Sequence, residues 1–209
     1  YQLVSLAALV PTMLISSFSS SLLPSSTYYY AKGRDIREMS SMTLRVVLLV
    51  SLPIAILGYA VSPLFVSKLF PEYVSGIESM QLLVLFLTAT IPLQLLSTFM
   101  IAAKVSYRPF ILIGSLSAAE VVSLSYLMIP NLGILGAAIA QVINVVLTSA
   151  LYLLFSVKQK ILPLGRREVL ALVLIVLSFF SLMNWAVVLV LLILSLRFFG
   201  IVSVNEVNV

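Results

Sequence analysis

Long apolar runs separated by short polar connections dominate the chain, and this pattern predicts membrane-spanning helices. The runs with few charges lie at about 2–27, 44–66, 79–103, 110–129 and 134–157. Each run exceeds or approaches the roughly 20 residues that cross a hydrocarbon core. A further stretch is interrupted by Ser181, Asn184 and Trp185, so we interpret it as two short helices, 169–183 and 186–199. The pattern predicts an all-α integral membrane protein, a polytopic bundle of about seven transmembrane helices in one domain, 1–209.

Composition agrees with a lipid environment and excludes most enzyme classes. The chain is 62% hydrophobic and only 9% charged, with a mean hydropathy of +1.20, whereas soluble domains are about a quarter charged. It contains no Cys and no His, which removes thiol nucleophiles, imidazole metal sites and the commonest general base. We therefore expect a membrane protein that is not an enzyme, with no metal site and no nucleic-acid partner.

The basic residues orient the predicted spans. Eleven of the twelve lie in alternate connections, and only Lys68 does not. The eleven are Lys32, Arg34, Arg37, Arg45, Lys104, Arg108, Lys158, Lys160, Arg166, Arg167 and Arg197. By the positive-inside rule these connections are cytoplasmic, so the first residue is expected outside and the C-terminus inside a cell membrane. Tyr1 is not a start methionine, and no basic segment precedes a short apolar run as in a signal peptide, so we expect the chain to begin mid-protein. If the parent protein begins in the cytoplasm, an odd number of spans is expected upstream.

The first span ends in the unusual stretch SSFSSSLLPSSTYYY, residues 16–30. At about 1.5 Å per residue, the tyrosines fall at the cytoplasmic headgroups, where aromatic rings anchor. Ser16 and Ser20 lie within the crossing, at helical spacing with Thr12 and Ser19. This mildly polar face either packs closely against another helix or lines a water-filled cavity that contacts substrate.

Four other polar residues lie deep in predicted spans. Glu120 is near the middle of 110–129, where an ionised carboxylate costs at least a few kcal/mol unless it is paired or hydrated. It is therefore a candidate proton or sodium coupling site or a partner of substrate hydroxyls, unless it is a neutral carboxyl bonded to Ser117, to Ser123 or to a neighbouring helix. Gln94 stands alone, whereas Gln141 and Asn144 share one helix face. These amides either bind a glycan or join neighbouring helices.

The cytoplasmic connections supply candidate headgroup contacts. The residues proposed for this role are Lys32, Arg34, Arg37, Lys104, Arg108, Arg166 and Arg167. Such cations attract anionic lipid headgroups, or would recognise a pyrophosphate-linked lipid. Topology alone accounts for basic residues at these positions and is the preferred explanation.

Several segments in order resemble one transporter superfamily. These are the first span with LLP at its inner end, LRVVLLVSLPIAILGYAVSPLFVSKLFPEY, IAAKVSYRP and PNLGILGAAIAQVI. Together they resemble the multidrug, oligolipid and polysaccharide exporter superfamily, on its polysaccharide flippase branch. The resemblance implies the eighth to fourteenth helices of a fourteen-helix protein, with the N-terminal lobe missing from this chain. It also implies two lobes around a cavity that opens alternately to each side.

The function expected from this resemblance is translocation of a lipid-linked oligosaccharide for surface polysaccharide or glycan biosynthesis. No cofactor is expected apart from a coupling H⁺ or Na⁺. The first alternative is an ion-coupled small-molecule or drug exporter of the same superfamily, with Glu120 as the coupling carboxylate. The remote alternatives are a membrane-embedded enzyme, which would need more acidic or nucleophilic groups, and a receptor.

Overall fold

A computed structural model describes residues 2–163 of the protein. Its helices are α1 (Gln2–Ala31), α2 (Ile36–Leu69), a 3₁₀ helix (Pro71–Gly76), α3 (Ile77–Ala89), α4 (Ile91–Gln94), α5 (Leu96–Ala102) and α6 (Arg108–Lys158). The described part contains no strand, which confirms the all-α prediction for these residues. The predicted spans 169–183 and 186–199 lie outside the described residues.

Length and composition identify membrane-spanning candidates among these helices. Within the described residues, α2 and α6 are long and apolar enough to cross a bilayer. A third span results if 71–88 and 91–102, which are bent by 47°, count as one broken crossing. These helices are compatible with a membrane protein, and the count of seven spans stays a prediction.

Local signals in the sequence set the limits of α2. Asp35 is its N-cap, and the carboxylate accepts a hydrogen bond from the backbone N–H of Arg37 at 3.0 Å. This bond satisfies one of the free N–H groups of the first turn. The helix ends at Leu69, shortly before Pro71. Pro53 and Pro63 lie inside α2, as is tolerated in apolar helices whose neighbours support the backbone.

The predicted third span, 79–103, is helical but not continuous. The chain breaks at Thr90 and again at Leu95, so that α3, α4 and α5 follow one another. Pro92 lies in the first turn of α4, where its missing N–H is harmless but where it cannot support a preceding turn. Pro92 therefore begins a new helix just after the break at Thr90.

The long helix α6 is a hairpin of two antiparallel arms. Gly133 has non-helical torsion angles, φ 58° and ψ −128°. In a straight helix Ser117 and Asn144 would be about 40 Å apart, yet their side chains are hydrogen-bonded at 2.8 Å. Farther from the turn, the rings of Phe110 and Tyr152 are 6.4 Å apart. The chain therefore reverses near Gly133, between the predicted segments 110–129 and 134–157, and we call 108–132 the first arm and 134–158 the second arm.

The broken segment α3–α5 lies between the other helices. Leu83 and Leu87 of α3 pack against Ala138 and Val142 of the second arm. On its other sides, α3 contacts α2 and α1. The outer face of α2 is aliphatic, with Val46, Val50, Ile54, Leu57 and Val61 exposed. An outer face of this kind is suited to lipid tails.

Candidate functional site

Asn144 is the centre of a polar cluster between the two arms of α6. Its Oδ1 accepts hydrogen bonds from the Ser117 hydroxyl at 2.8 Å and the Thr148 hydroxyl at 2.9 Å. Its Nδ2 donates to the backbone carbonyl of Ser117 at 3.4 Å. The side chain is 7% exposed, so these bonds are shielded from solvent. For Asn144 the structure favours the role of joining helices over direct contact with substrate.

Glu120 and Gln141 lie one helical turn from this pair, both on the side of the Gly133 reversal. Because the arms are antiparallel, Glu120 lies nearer to the Gly133 reversal than Ser117 does, and Gln141 lies nearer to it than Asn144 does. The two side chains therefore occupy neighbouring levels of the hairpin. We call Ser117, Glu120, Gln141, Asn144 and Thr148 the polar seam.

The carboxylate of Glu120 is incompletely satisfied. Its Oε2 is buried and accepts no hydrogen bond from the described residues. The local partners expected from the sequence are otherwise engaged, because the Ser117 hydroxyl donates to Asn144 and the Ser123 hydroxyl donates to the Ala119 carbonyl. The structure shows no hydrogen bond between Glu120 and either serine. A buried oxygen without a donor can take up a proton or contact a cation.

Gln94 stabilises the break in the central segment. Its Nε2 donates to the Thr90 hydroxyl at 3.2 Å, and that hydroxyl donates to the carbonyl of Phe86 at 2.9 Å. The amide thus links α4 to the end of α3 across the residue at which the helix breaks. The geometry gives Gln94 a local structural role.

The predicted polar face of α1 is exposed. Ser16, Ser17, Ser20, Ser21 and Ser25 all lie on the outside of the helix, and we call them the serine face. The hydroxyls of Ser16 and Ser20 donate to the carbonyls of Met13 and Ser17, each at 2.9 Å. With the hydrogen used locally, each hydroxyl oxygen retains lone pairs that can accept from a ligand. Ser19 instead faces α5, where its oxygen accepts from the Thr98 hydroxyl at 3.3 Å.

The serine face and the polar seam are separate features of the described bundle. Helix α1 packs mainly on α3 and α5, whereas α6 packs on α3, α4 and α5. The broken central segment therefore stands between them. Within the described residues, Ser16 and Ser20 do not share a site with Glu120, Gln141 and Asn144.

Four basic residues of the described part gather at one end of the bundle. Residues that follow α1, α5 and α6 line a pocket of about 510 Å³. Its cationic side chains belong to Arg34, Arg37, Lys104 and Lys160, and Asp35 is its acidic side chain. We call this the basic pocket. Lys68, the exception in the charge pattern, lies in the last turn of α2.

The same backbone motif closes the three helices that meet at the basic pocket. After α5, the N–H of Lys104 donates to Ile101 and that of Val105 to Met100. After α6, the N–H of Lys160 donates to Val157 and that of Ile161 to Ser156. Each pair of bonds defines a Schellman motif. The residue that donates the first bond of the pair, here Lys104 or Lys160, has a left-handed backbone and is usually glycine in such motifs.

Of the three Schellman motifs, only the one that follows α1 has glycine at the left-handed position. Gly33 has φ 71°, whereas the corresponding residues Lys104 and Lys160 have φ 54° and 56°. A left-handed backbone is strained for a residue with a Cβ. Two lysines therefore occupy strained positions at the same pocket.

Two of the three tyrosines at the end of α1 hold basic side chains. The Lys32 ammonium lies 4.6 Å from the centre of the Tyr28 ring, and the Arg34 guanidinium lies 5.4 Å from that of Tyr29. Such cation–π contacts orient the charges at modest energy when they are exposed. Tyr30 lines the basic pocket itself.

The remaining headgroup candidates are placed less closely. Arg108 is exposed at the start of α6, and its backbone N–H donates to the Ser106 hydroxyl at 3.4 Å. Arg108 does not line the basic pocket. Arg166 and Arg167 lie outside the described residues.

Sequence analysis missed two features of these sites. One is the pairing of Ser117 with Asn144, although their similar distances from the PNLG turn contained the signal, since such residues meet in an antiparallel hairpin. The other is the pair of left-handed lysines, because nothing in the letters around Lys104 or Lys160 indicates a positive φ.

Comparison of the chain with protein-family models, with curated proteins and with solved structures gives no match.

Proposed function

We propose that the chain is one lobe of a transporter that moves a lipid-linked oligosaccharide across a cell membrane by alternating access. The exposed serine face of α1 is the observation that carries this proposal. Where α2 presents aliphatic side chains to its surroundings, α1 presents five serines. A row of hydroxyls gains nothing from contact with lipid tails, but it suits a hydrated passage between two lobes.

Serine oxygens also fit the chemistry of a glycan. A sugar offers many hydroxyl donors, and Ser16 and Ser20 keep acceptor lone pairs after bonding their own helix. Several weak acceptors in a row allow a polar headgroup to move past without tight binding, as transport requires. The second lobe would supply the opposite wall of the passage.

The proposed orientation places the basic pocket in the cytoplasm. The pocket gathers basic residues from the connections that follow α1, α5 and α6. Such clustering at one end supports the cytoplasmic assignment made from the charge pattern. In this arrangement seven spans lead to a cytoplasmic C-terminus, and the full transporter has two such lobes.

Coupling to an ion gradient is assigned to Glu120. Its Oε2 is buried one helical turn from Ser117, in a hairpin packed on the broken segment α3–α5. Binding of H⁺ or Na⁺ at this oxygen would favour one conformation of the lobe, provided that the affinities in the two conformations differ. This observation also favours the second candidate, an ion-coupled exporter of small molecules.

The experiment compares cells with and without the complete gene. We expect deletion to raise the lipid-linked oligosaccharide in the cytoplasmic leaflet, and the gene to restore its distribution. The Glu120→Gln variant should express normally yet restore much less transport, whereas Glu78→Gln, at an exposed acid in the first turn of α3, should behave like the wild type.

An unchanged amount and leaflet distribution of the glycolipid after deletion would refute the flippase proposal. Ion-gradient-driven efflux of small molecules that depends on Glu120 would then support the exporter. Wild-type transport by Glu120→Gln would assign that residue to packing.

A further inference from the structure

We infer that the basic pocket is a binding site for a phosphate group, separate from the proposed transport pathway. The inference goes beyond the proposed function and does not depend on it. It begins from the imbalance of charge, because Arg34, Arg37, Lys104 and Lys160 line the pocket together with one carboxylate, that of Asp35. An anion would relieve the mutual repulsion of these cations.

The acid in the pocket is already engaged. Oδ1 of Asp35 accepts the backbone N–H of Arg37 at 3.0 Å as the cap of α2. The Arg37 guanidinium lies 3.9 Å away, and both side chains are about half exposed or more, at 47% and 64%. An exposed pair of this kind contributes little. Asp35 therefore neutralises at most one of the four cations.

Hydrogen bonds join the backbone segments that carry the pocket. Nε of Arg37 donates to the carbonyl of Lys160 at 2.8 Å, and the buried hydroxyl of Ser40 donates to the carbonyl of Ile161 at 2.6 Å. These bonds tie the segment after α6 to the start of α2. Beneath them, Ile36 and Ile161 belong to one buried apolar cluster. A backbone held in this way loses little freedom when a ligand binds.

The left-handed backbone of Lys104 and Lys160 distinguishes a binding site from a surface that is basic only because of membrane topology. Topology and helix dipoles are satisfied by basic residues anywhere near these helix ends. They do not require lysine at the two positions where glycine would be unstrained, as Gly33 is at the third motif. A charge placed at the expense of backbone strain indicates a function for the charge.

Phosphate fits the groups available. Arg34 and Arg37 offer planar guanidinium donors, and Lys104 and Lys160 offer ammonium groups. Tyr30, Ser106 and Gln159 add hydroxyl and amide donors to the lining. Tyr28, at the same end of α1, is 62% exposed, as expected of an aromatic ring at headgroup depth. The phosphate could belong to a lipid headgroup at this depth or be free in the cytoplasm, and the experiment separates the two sources.

The test uses the full chain in zwitterionic detergent micelles. Fluorescently labelled phosphatidylglycerol is titrated and its dissociation constant measured by anisotropy, with labelled phosphatidylcholine as the comparison lipid. Inorganic phosphate and pyrophosphate are added as competitors and, by calorimetry, as ligands on their own. The central variant is Lys104→Gly with Lys160→Gly, which removes both charges and keeps the left-handed backbone. Lys68→Ala removes one charge far from the basic pocket.

We expect the double variant to bind phosphatidylglycerol about ten-fold or more weakly, with circular dichroism unchanged and with phosphatidylcholine binding equal to that of the wild type. Lys68→Ala should bind as the wild type does. If pyrophosphate binds on its own and competes with phosphatidylglycerol, the result supports a free phosphate ligand. If phosphatidylglycerol binds and pyrophosphate does not compete with it, the result supports a lipid headgroup.

Equal affinity of wild type and double variant, or an equal loss in Lys68→Ala, would overturn the inference. If the glycine pair does not fold, Lys104→Asn with Lys160→Asn takes its place, since asparagine also tolerates the left-handed region. Because no transport is measured, failure of this site leaves the flippase proposal standing, and the reverse is also true.

Discussion

Replacing Lys160 by glycine should stabilise the protein relative to replacing it by alanine. Both variants lack the ammonium, so the charge cancels in the comparison and the backbone remains. A left-handed conformation costs a residue with a Cβ about 1–2 kcal/mol, while glycine loses about 0.4–1 kcal/mol more conformational entropy on folding than alanine. The difference predicts that Lys160→Gly is more stable than Lys160→Ala by about 0.5–1 kcal/mol. The same calculation applies to Lys104, whose φ is nearly identical.

Lys68 is the matched control because the sign of the effect reverses there. It lies in the last turn of α2, a regular helix, where glycine is less stable than alanine by up to about 1 kcal/mol. Unfolding of the purified variants is followed by circular dichroism during titration of mixed micelles with a denaturing detergent. The difference between glycine and alanine is then read at each site from the two transition midpoints.

The outcome separates backbone strain from a general effect of glycine. Stabilisation at Lys104 and Lys160, together with destabilisation at Lys68, supports the strain described for the two Schellman motifs. If glycine is equal to or worse than alanine at all three sites, the left-handed lysines carry no strain, and the argument that their charge has a function loses its basis.

Two further predictions concern the α6 hairpin. A Cβ at Gly136 would overlap the Met128 carbonyl oxygen and lie 2.7 Å from its carbonyl carbon, whereas nothing lies within 4 Å of a Cβ at Gly114. In thermal unfolding, Gly136→Ala should therefore be less stable than the wild type by about 1–3 kcal/mol, and Gly114→Ala should be unchanged or slightly more stable. Equal stabilities of the two variants would contradict the close approach of the arms. In a double-mutant cycle, Ser117→Ala and Asn144→Ala should be coupled by about 0.5–2 kcal/mol, whereas additive effects would show that the bond between them contributes nothing.

Much of the helical layout follows from the apolar pattern and a few breakers. The run 44–66 lies inside α2, and 110–129 and 134–157 lie in the two arms of α6, because apolar length and the PNLG turn are local signals. The breaks within 79–103 were not expected as such. A hydropathy pattern gives the extent of an apolar segment, but it does not indicate where a threonine such as Thr90 will close one helix and a proline begin the next.

The candidate sites divide in a similar way. The sequence identifies Asn144 and Glu120 as polar residues at depth, since such residues stand out in apolar surroundings. It does not show that the Asn144 amide bonds to Ser117, or that Oε2 of Glu120 is buried with no hydrogen-bond partner among residues 2–163. Which side chains of the two arms face each other depends on the register between the arms, and the turn and the packing together determine that register. Likewise, the charge pattern predicts that Lys104 and Lys160 lie on the same side of the membrane, but it does not indicate their backbone conformation.

The pairing inside the α6 hairpin also bears on how this part of the chain enters a membrane. A lone helix carrying asparagine and serine would expose their polar groups to lipid during insertion, at a cost for each unpaired group. Here the two arms supply each other with partners across a short turn, and the bond from Ser117 to Asn144 needs no other helix. Closing such a short loop is rapid and entropically cheap. The hairpin can therefore insert as a pair of helices, ready to receive the rest of the bundle.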